Sequence, residues 1–212
     1  MRLERLEATQ RPEKLKAVFD GEALTVSASL CVQFSLCAGM ELDEEAFSAL
    51  KAAVAKEAAR ERAVRILTAS AVSERELEKR LLQKGMLPSD AADAVVWLKE
   101  HRFLDDAATA AQLVDSAVRK GYGRARVKNI LYEKGIPKDL WDEALARIPA
   151  MDDAIDRFLA AKLRGRTADE KTIKKTIDAL LRRGFSYGEI RDALRRYEAD
   201  LEDLELEETM TE

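Results

Sequence analysis

Residues 131–145 read LYEKGIPKDLWDEAL, and similar phrases stand at residues 81–95, LLQKGMLPSDAADAV, and at residues 180–194, LLRRGFSYGEIRDAL. Each phrase has a leucine four residues before a glycine, then an alanine nine residues after that glycine and a larger apolar residue directly behind the alanine. The three glycines are Gly85, Gly135 and Gly184. Agreement between small and large apolar residues at several fixed positions indicates a true repeat of about fifty residues.

Each repeat contains start and stop signals for three helices. Asp43 can cap a long first helix, Ser73 and Glu76 have the spacing of a capping box, and Pro88 lies near the start of the helix that follows Gly85. The repeated glycines end the middle helices, because glycine adopts the left-handed conformation at little steric cost. Three helices alone bury little surface, so neighbouring repeats must stack. The sequence therefore predicts an all-α fold, an elongated tandem array of three three-helix repeats. The repeats are expected at residues 43–103, 104–149 and 150–203.

Residues 1–42 differ from the rest of the chain and form an N-terminal extension. Short β-favouring runs on both sides of Asp20-Gly21 predict a small β-hairpin. Residues 29–37 are compatible with a short helix that ends near Gly39 and also with a third strand, and the sequence does not decide between the two.

The composition argues against an enzyme, a metalloprotein and a membrane protein. Charged residues make up 36% of the 212 residues and aromatic residues 6%, which is typical of helical proteins with solvated faces. There is no phosphate-binding loop, nucleophile motif or long apolar run. Cys31, Cys37 and His101 are too few ligands for a metal site, and we interpret both cysteines as buried apolar side chains in a reducing cytoplasm. We expect no catalytic residue, no metal and no cofactor.

The charges are strongly segregated, although the formal net charge is only −4. Residues 119–138 contain seven Lys or Arg and one acid, and residues 157–196 contain twelve basic and five acidic residues. From Glu198 to the end there are eight acids and no base, and residues 204–212 form an acidic tail. This tail either folds back as an internal competitor for the basic segments or is disordered.

Helical periodicity places many of these basic residues beside predicted inward faces. The predicted inward residues are Val127, Ile130, Leu131, Ile173, Ile177, Leu180 and Leu181. Arg124 and Lys128 flank the first face together, while Lys171, Lys175 and Arg182 lie nearly on one line opposite the second. Such lines suit phosphate groups, although a merely soluble helix face has the same pattern. The candidate contact residues are Arg119, Lys120, Arg124, Arg126, Lys128, Lys134, Lys171, Lys174, Lys175, Arg182 and Arg183.

Several phrases, in this order and spacing, resemble the RecX family of bacterial regulators of the RecA recombinase. They are SERELEKRLLQKG, HRFLDDAATAAQLVDSAVRKGYGRARVKNILYEKGIPKDLWDEAL and LLRRGFSYGEIRDAL. The similarity covers roughly residues 60–197, and the N-terminal extension also resembles that of some members. The chain departs from the family at Thr109, where an aromatic residue is usual, and in its acidic tail.

The resemblance implies binding to RecA and to RecA filaments on single-stranded DNA, with inhibition of recombinase, ATPase and coprotease activity. DNA repair and the SOS response would be regulated in this way. It also implies weaker direct binding to DNA, and it brings no catalytic residues. The stretch RKGYGRARVK matches a Gly-rich basic segment of the family, which makes Arg119, Lys120, Arg124, Arg126 and Lys128 the leading contact residues. We expect a cytoplasmic monomer.

Two other classes of function remain open from the sequence. The first is a DNA-binding repeat protein that acts without RecA, for which salt-sensitive DNA binding with no effect on RecA is expected. The second is a protein–protein scaffold, for which binding is expected to be indifferent to charge reversal in the second and third repeats.

Overall fold

The structure, a computed structural model, describes residues 1–163 and 170–209, with side chains up to residue 198. The chain divides into two compact units. The first unit contains Met1–Ser70 and Glu76–Leu104, and the second unit contains Ala71–Arg75 and Asp105–Glu212. Each unit has its own buried core, and each is described separately below.

The N-terminal extension is a three-stranded antiparallel sheet in the order β1-β2-β3. Its strands are β1 (Leu3–Ala8), β2 (Lys14–Phe19) and β3 (Glu22–Ser27). The predicted hairpin is confirmed, because β2 and β3 are joined at Asp20 and Gly21, whose φ angles are 44° and 87°. Two positive φ angles are the requirement of a two-residue hairpin turn with the right-handed strand twist. The sequence analysis did not predict β1.

Residues 29–37 resolve into a helix and a turn. Helix α1 (Ala28–Gln33) begins at Ser27, whose hydroxyl accepts a hydrogen bond from the Leu30 amide at 3.2 Å. The helix does not extend to Gly39, because the backbone reverses at Ser35, where φ is 49°. Cys37 lies beyond this reversal and is exposed, and Cys31 is only half-buried, so the prediction of two buried cysteines is wrong.

The first unit continues with α2 (Glu44–Ala69), α3 (Glu74–Gln83) and α4 (Pro88–Glu100). Asp43 caps α2 as predicted, since its carboxylate accepts a hydrogen bond from the Ala46 amide at 2.7 Å. Pro88 occupies the first turn of α4 as predicted. Beneath the sheet, the ring of Phe47 on α2 contacts the ring of Phe19 edge to face at 5.0 Å, which joins the sheet to the first helical repeat.

The second repeat consists of α5 (Asp106–Arg119), α6 (Arg124–Glu133) and α7 (Trp141–Ala146), the last preceded by a 3₁₀ turn, Lys138–Leu140. Asp105 caps α5 through hydrogen bonds from the amides of Ala107 and Ala108. The core of the repeat is formed by Ala110, Val114, Ala117, Val127, Leu131, Ile136, Ala144 and Leu145. The predicted inward residues of α6, Val127 and Leu131, are therefore fully buried, and Ile130 is half-buried beside them.

The third repeat consists of α8 (Asp152–Leu163), α9 (Glu170–Arg182) and α10 (Tyr187–Thr209). Its core is formed by Ile155, Leu159, Leu163, Leu180, Phe185, Ile190 and Ala193. Helix α10 continues to Thr209, into the segment 204–212 that the sequence marked as an acidic tail. The side chains of this tail lie outside the described residues.

One predicted helix face is corrected. Leu181, expected to point inward, is 41% exposed, whereas Thr176 is buried together with Leu180. The buried hydroxyl of Thr176 donates a hydrogen bond of 2.9 Å to the Thr172 carbonyl, which allows a polar residue to replace an apolar one at this position. The buried side of α9 is therefore turned by part of a helical step from the face that apolar residues alone indicate.

Candidate nucleic-acid interface

The second repeat presents its basic residues on the solvent side of α6. The buried residues Val127 and Leu131 fix the orientation of this helix, and Arg124 and Lys128 are consequently exposed. Lys128 has no ion pair with any residue that the structure describes. Its ammonium group therefore remains available for a ligand phosphate.

Two arginines of the same helix are partly engaged within the protein. Arg124 donates a hydrogen bond of 3.2 Å from Nη1 to the Leu145 carbonyl. Arg126 forms an ion pair with Glu133, with Nη1 3.2 Å from Oε1. Glu133 is the one acid in the basic segment 119–138, and its pairing leaves the remaining cations of that segment less neutralised.

The third repeat presents a second basic face on α9. Lys171, Lys174, Lys175 and Arg182 are exposed, and none of them forms an ion pair within the part of the chain that the structure describes. Lys171 and Arg182 are eleven residues apart, so the face extends for about 16 Å along the helix axis. Point charges spaced over this length suit a phosphate backbone better than a single small anion.

Arg183 is engaged differently from its neighbour Arg182. Its Nη1 donates hydrogen bonds to the carbonyls of Lys120 at 3.2 Å and Gly121 at 3.5 Å. Its guanidinium also lies over the Phe158 ring, 4.8 Å from the centroid. These contacts join the end of α9 to the end of α5, so Arg183 connects the second and third repeats.

The backbone makes a second connection at the same place. The amide of Gly123 donates a hydrogen bond of 2.8 Å to the Arg183 carbonyl, and the amide of Ala125 donates one of 3.1 Å to the Gly184 carbonyl. These amides belong to the first turn of α6, which lacks acceptors within the helix. The turn after α9 thus caps α6, and the close approach requires glycine on both sides.

The structure brings together six of the candidate residues around this connection. They are Arg119 and Lys120 at the end of α5, Arg124 and Arg126 at the start of α6, and Arg182 and Arg183 at the end of α9. Lys128 lies one turn further along α6. Lys134 is at the far end of α6, where its carbonyl accepts a hydrogen bond from the Ser73 hydroxyl, and Lys171, Lys174 and Lys175 are at the far part of α9.

Basic residues of the second unit outside the candidate set include two that are neutralised. Arg147 pairs with Asp115 at 2.9 Å, and this hydrogen bond lowers the pKa of Asp115 and raises that of Arg147. Arg196 lies 3.1 Å from Asp152 and 2.9 Å from Asp156, and the hydrogen bond with Asp156 raises the pKa of Arg196. Cations that are held by carboxylates contribute little to binding a phosphate.

Sequence reasoning missed two features of this interface. Gly123 does not belong to the repeated phrase, yet it is buried against Gly184. Tyr132 is 71% exposed on α6, four residues after Lys128, and helical spacing alone would have placed it on the same side as that lysine.

The part of the chain that the structure describes holds no group of three or more metal-ligating side chains. Among its helices, none combines the length and the apolar character that a membrane crossing requires. His101 ends α4, where its Nδ1 lies 2.8 Å from the Trp97 carbonyl and its ring packs on that tryptophan.

These features define a class: a mostly helical protein of three three-helix repeats with exposed basic helix faces. Models of the RecX family match each repeat: the first three-helix domain at residues 59–98, the second at 105–145 and the third at 152–194. The regulatory protein RecX of Cronobacter sakazakii is 33% identical over 153 residues, which cover 65% of this chain and 91% of that protein. That of Escherichia coli O1:K1 / APEC is 32% identical over 151 residues, which cover 65% and 90%. The chain belongs to the RecX family.

Solved structures agree with the fold. A crystal structure of regulatory protein RecX matches with a TM-score of 0.67 and 23% identity, over 90% of this chain and 98% of that one. The crystal structure of RecX from Lactobacillus salivarius matches with a TM-score of 0.58 and 18% identity, over 69% and 99%. The fold and the family predicted from the sequence are confirmed. Membership of this family of regulatory proteins implies a regulator of RecA.

Proposed function

We propose that this chain binds RecA and the RecA filament on single-stranded DNA as a cytoplasmic monomer. In this proposal it inhibits the recombinase, ATPase and coprotease activities and thereby regulates DNA repair and the SOS response. Family membership supports a RecA-related partner. The basic faces of α6 and α9 supply a physical basis for contact with the DNA of the filament.

One observation carries the proposal: exposed cations on both faces lack internal ion pairs among the described residues. Lys128 on α6 and Lys171, Lys174, Lys175 and Arg182 on α9 are all in this state. Leaving like charges close together without counter-charges opposes folding, and a bound polyanion relieves that repulsion. Two adjacent repeats with the same property favour an extended anionic ligand.

The binding energy is then distributed over many weak contacts. Each lysine or arginine that meets a phosphate releases counterions, so binding weakens as salt rises. Removal of one contact reduces the salt dependence by about one unit of log–log slope and leaves the rest of the interface in place. No single substitution is therefore expected to abolish binding.

The test is ATP hydrolysis by RecA on single-stranded DNA, titrated with this protein. The variant Arg124→Glu, Lys128→Glu, Lys175→Glu, Arg182→Glu keeps the fold, because these side chains are exposed. It is expected to bind the filament more weakly by orders of magnitude at moderate salt and to relieve inhibition. Equal inhibition by the folded variant contradicts the assignment of these faces, and no inhibition by the wild-type protein contradicts the proposed function.

A matched variant controls for net charge. Arg62→Glu, Lys79→Glu, Lys84→Glu, Arg102→Glu changes the charge by the same amount in the first unit, at exposed side chains without ion pairs among the described residues. We expect this control to inhibit nearly as well as the wild-type protein. Equal losses in both variants indicate a general effect of net charge. Salt-sensitive DNA binding with no effect on RecA selects the DNA-binding protein that acts without RecA.

A further inference from the structure

Tyr132 is an aromatic side chain without a structural role in the protein core. It is 71% exposed on α6, and the core of the second repeat is complete without it. Its hydroxyl forms no hydrogen bond with the residues that the structure describes. A large ring held in water on a rigid helix offers a preformed flat surface to a ligand.

The other repeats show that this ring is specific to the second repeat. Three residues before the repeated glycine, the chain has Leu82, Tyr132 and Leu181. All three positions are exposed, with Leu82 at 42% and Leu181 at 41%. The position thus faces solvent in every repeat, and a planar π-system occurs only in the repeat with the family's basic segment.

The ring is placed directly behind two cations. Arg124, Lys128 and Tyr132 are four residues apart from one another in turn, so they follow one side of α6 at intervals of about 6 Å. Lys128 has no ion pair within the described part of the chain. Cations that hold the backbone, followed by an aromatic ring, are the arrangement with which proteins bind single strands.

We propose that the Tyr132 ring stacks on an unpaired base of single-stranded DNA whose backbone is held by Lys128 and Arg124. This inference rests on the proposed function and adds a contact to the base. In duplex DNA the bases are already stacked on one another, so the ring has no free face to contact. Tyr132 therefore gives α6 a preference for single strands, which phosphate contacts alone do not provide.

A nucleic acid fits this surface better than a protein. An exposed ring for protein docking is expected to lie among other apolar side chains. The residues one turn before Tyr132 on α6 are instead Lys128 and Asn129, both polar and exposed. The charge beside the ring therefore matches a polyanion with π-faces.

The test measures the affinity for an oligo(dT) single strand and for a duplex across a series of salt concentrations, in the absence of RecA. Tyr132→Ala is expected to weaken single-strand binding about tenfold at every salt concentration. The salt slope should stay unchanged, because stacking releases no counterions from phosphates. Duplex binding should also stay unchanged. Tyr132→Phe retains the ring and is expected to bind as the wild-type protein does.

Two comparison variants make the readout specific. Lys128→Ala is expected to reduce the salt slope by about one unit, which identifies a phosphate contact. Phe103→Ala removes another ring, 63% exposed, from the first unit and is expected to change nothing. In Tyr132→Trp, fluorescence beyond that of the native Trp97 and Trp141 is expected to be quenched by oligo(dT) and not by the duplex.

The outcomes separate this inference from the proposed function. If Lys128→Ala lowers the slope while Tyr132→Ala binds as tightly as the wild-type protein, stacking is wrong and the phosphate contacts stand. If Tyr132→Ala leaves DNA binding intact and weakens inhibition of RecA, the ring contacts protein and the inference is overturned. If neither the wild-type protein nor any variant binds DNA with salt dependence, both the inference and the basic interface are wrong.

Discussion

Gly184 lies so close to Arg126 that a Cβ atom on Gly184 would stand 2.2 Å from the Arg126 amide nitrogen. The reverse contact is equally tight, since a Cβ atom on Gly123 would stand 2.4 Å from the Gly184 carbonyl oxygen. The repeated glycine therefore has two tasks at this position. It ends α9 with a φ angle of 91°, and it allows the backbone of the third repeat to cap a helix of the second.

Replacement of Gly184 tests these two tasks against one. Gly184→Ala is expected to destabilise the protein by about 3 kcal/mol or more, from the positive φ angle and from the clash with the α6 backbone. Gly85→Ala meets a φ angle of 80° and no atom within 4 Å, so it is expected to cost only about 1–2 kcal/mol. Urea unfolding followed by circular dichroism measures both. Equal losses would show that the contact between the repeats adds nothing.

Adjacent leucines on α9 test the corrected helix face. Leu180 is fully buried and Leu181 is 41% exposed. Leu180→Asp is expected to cost several kcal/mol, because it places a charge in the core of the third repeat, and Leu131→Asp is expected to do the same in the second. Leu181→Asp is expected to stay within about 1 kcal/mol of the wild-type stability. A large loss for Leu181→Asp, measured by the same unfolding experiment, would restore the face predicted from apolar spacing.

Most of the helical architecture could be predicted because its signals are local. Asp43, Pro88 and Asp105 act on residues within one turn of themselves, and apolar residues at helical spacing mark the buried faces. The hairpin was predictable for the same reason, since Asp20-Gly21 determines its turn. Strand β1 was not, because it pairs with β2 across a loop and has no strong turn signal.

The details of the interface depended on contacts between distant residues. Arg182 and Arg183 are equivalent in the sequence, yet only Arg183 reaches the carbonyls of Lys120 and Gly121, more than sixty residues away. The buried Thr176 was missed because its hydroxyl is satisfied by its own helix, which apolar spacing does not reveal. Tyr132 was missed because a tyrosine at helical spacing can be part of a core or exposed, and only the packed repeat decides.

A pH dependence is expected from Asp93, which joins α4 to α2 in the first unit. Its carboxylate lies 2.6 Å from Lys56 Nζ and 2.8 Å from Arg60 Nη2. Burial raises the pKa of Asp93, but the hydrogen bonds from Lys56 and Arg60 outweigh it, and the pKa is lower than usual. The ionised form thus stabilises the fold fully above the ordinary pKa of about 3.9, and this contribution is lost as the pH falls through the lower folded pKa.

Asp93→Asn is the matching experiment. At pH 7 the variant is expected to be less stable by about 1–2 kcal/mol, because two charge-assisted hydrogen bonds are weakened. The difference between variant and wild type should be the same at pH 5 and should shrink below about pH 4. Denaturant midpoints at several pH values measure it. A difference that persists unchanged at the lowest pH would mean that the carboxylate charge is not the cause.

The two adjacent arginines at the end of α9 are expected to separate stability from binding. Arg183→Ala removes hydrogen bonds to two carbonyls and the contact with the Phe158 ring, so a loss of about 1–3 kcal/mol is expected. Since this guanidinium is engaged within the protein, the salt slope of DNA binding should change little. Arg182→Ala, at an exposed position, is expected to alter stability by no more than about 0.5 kcal/mol and to reduce the salt slope by about one unit. Unfolding midpoints and salt-dependent DNA titrations of the two variants give the four values required. The opposite pattern, with Arg183→Ala lowering the slope and leaving stability unchanged, would show that Arg183 turns away from Phe158 to contact DNA.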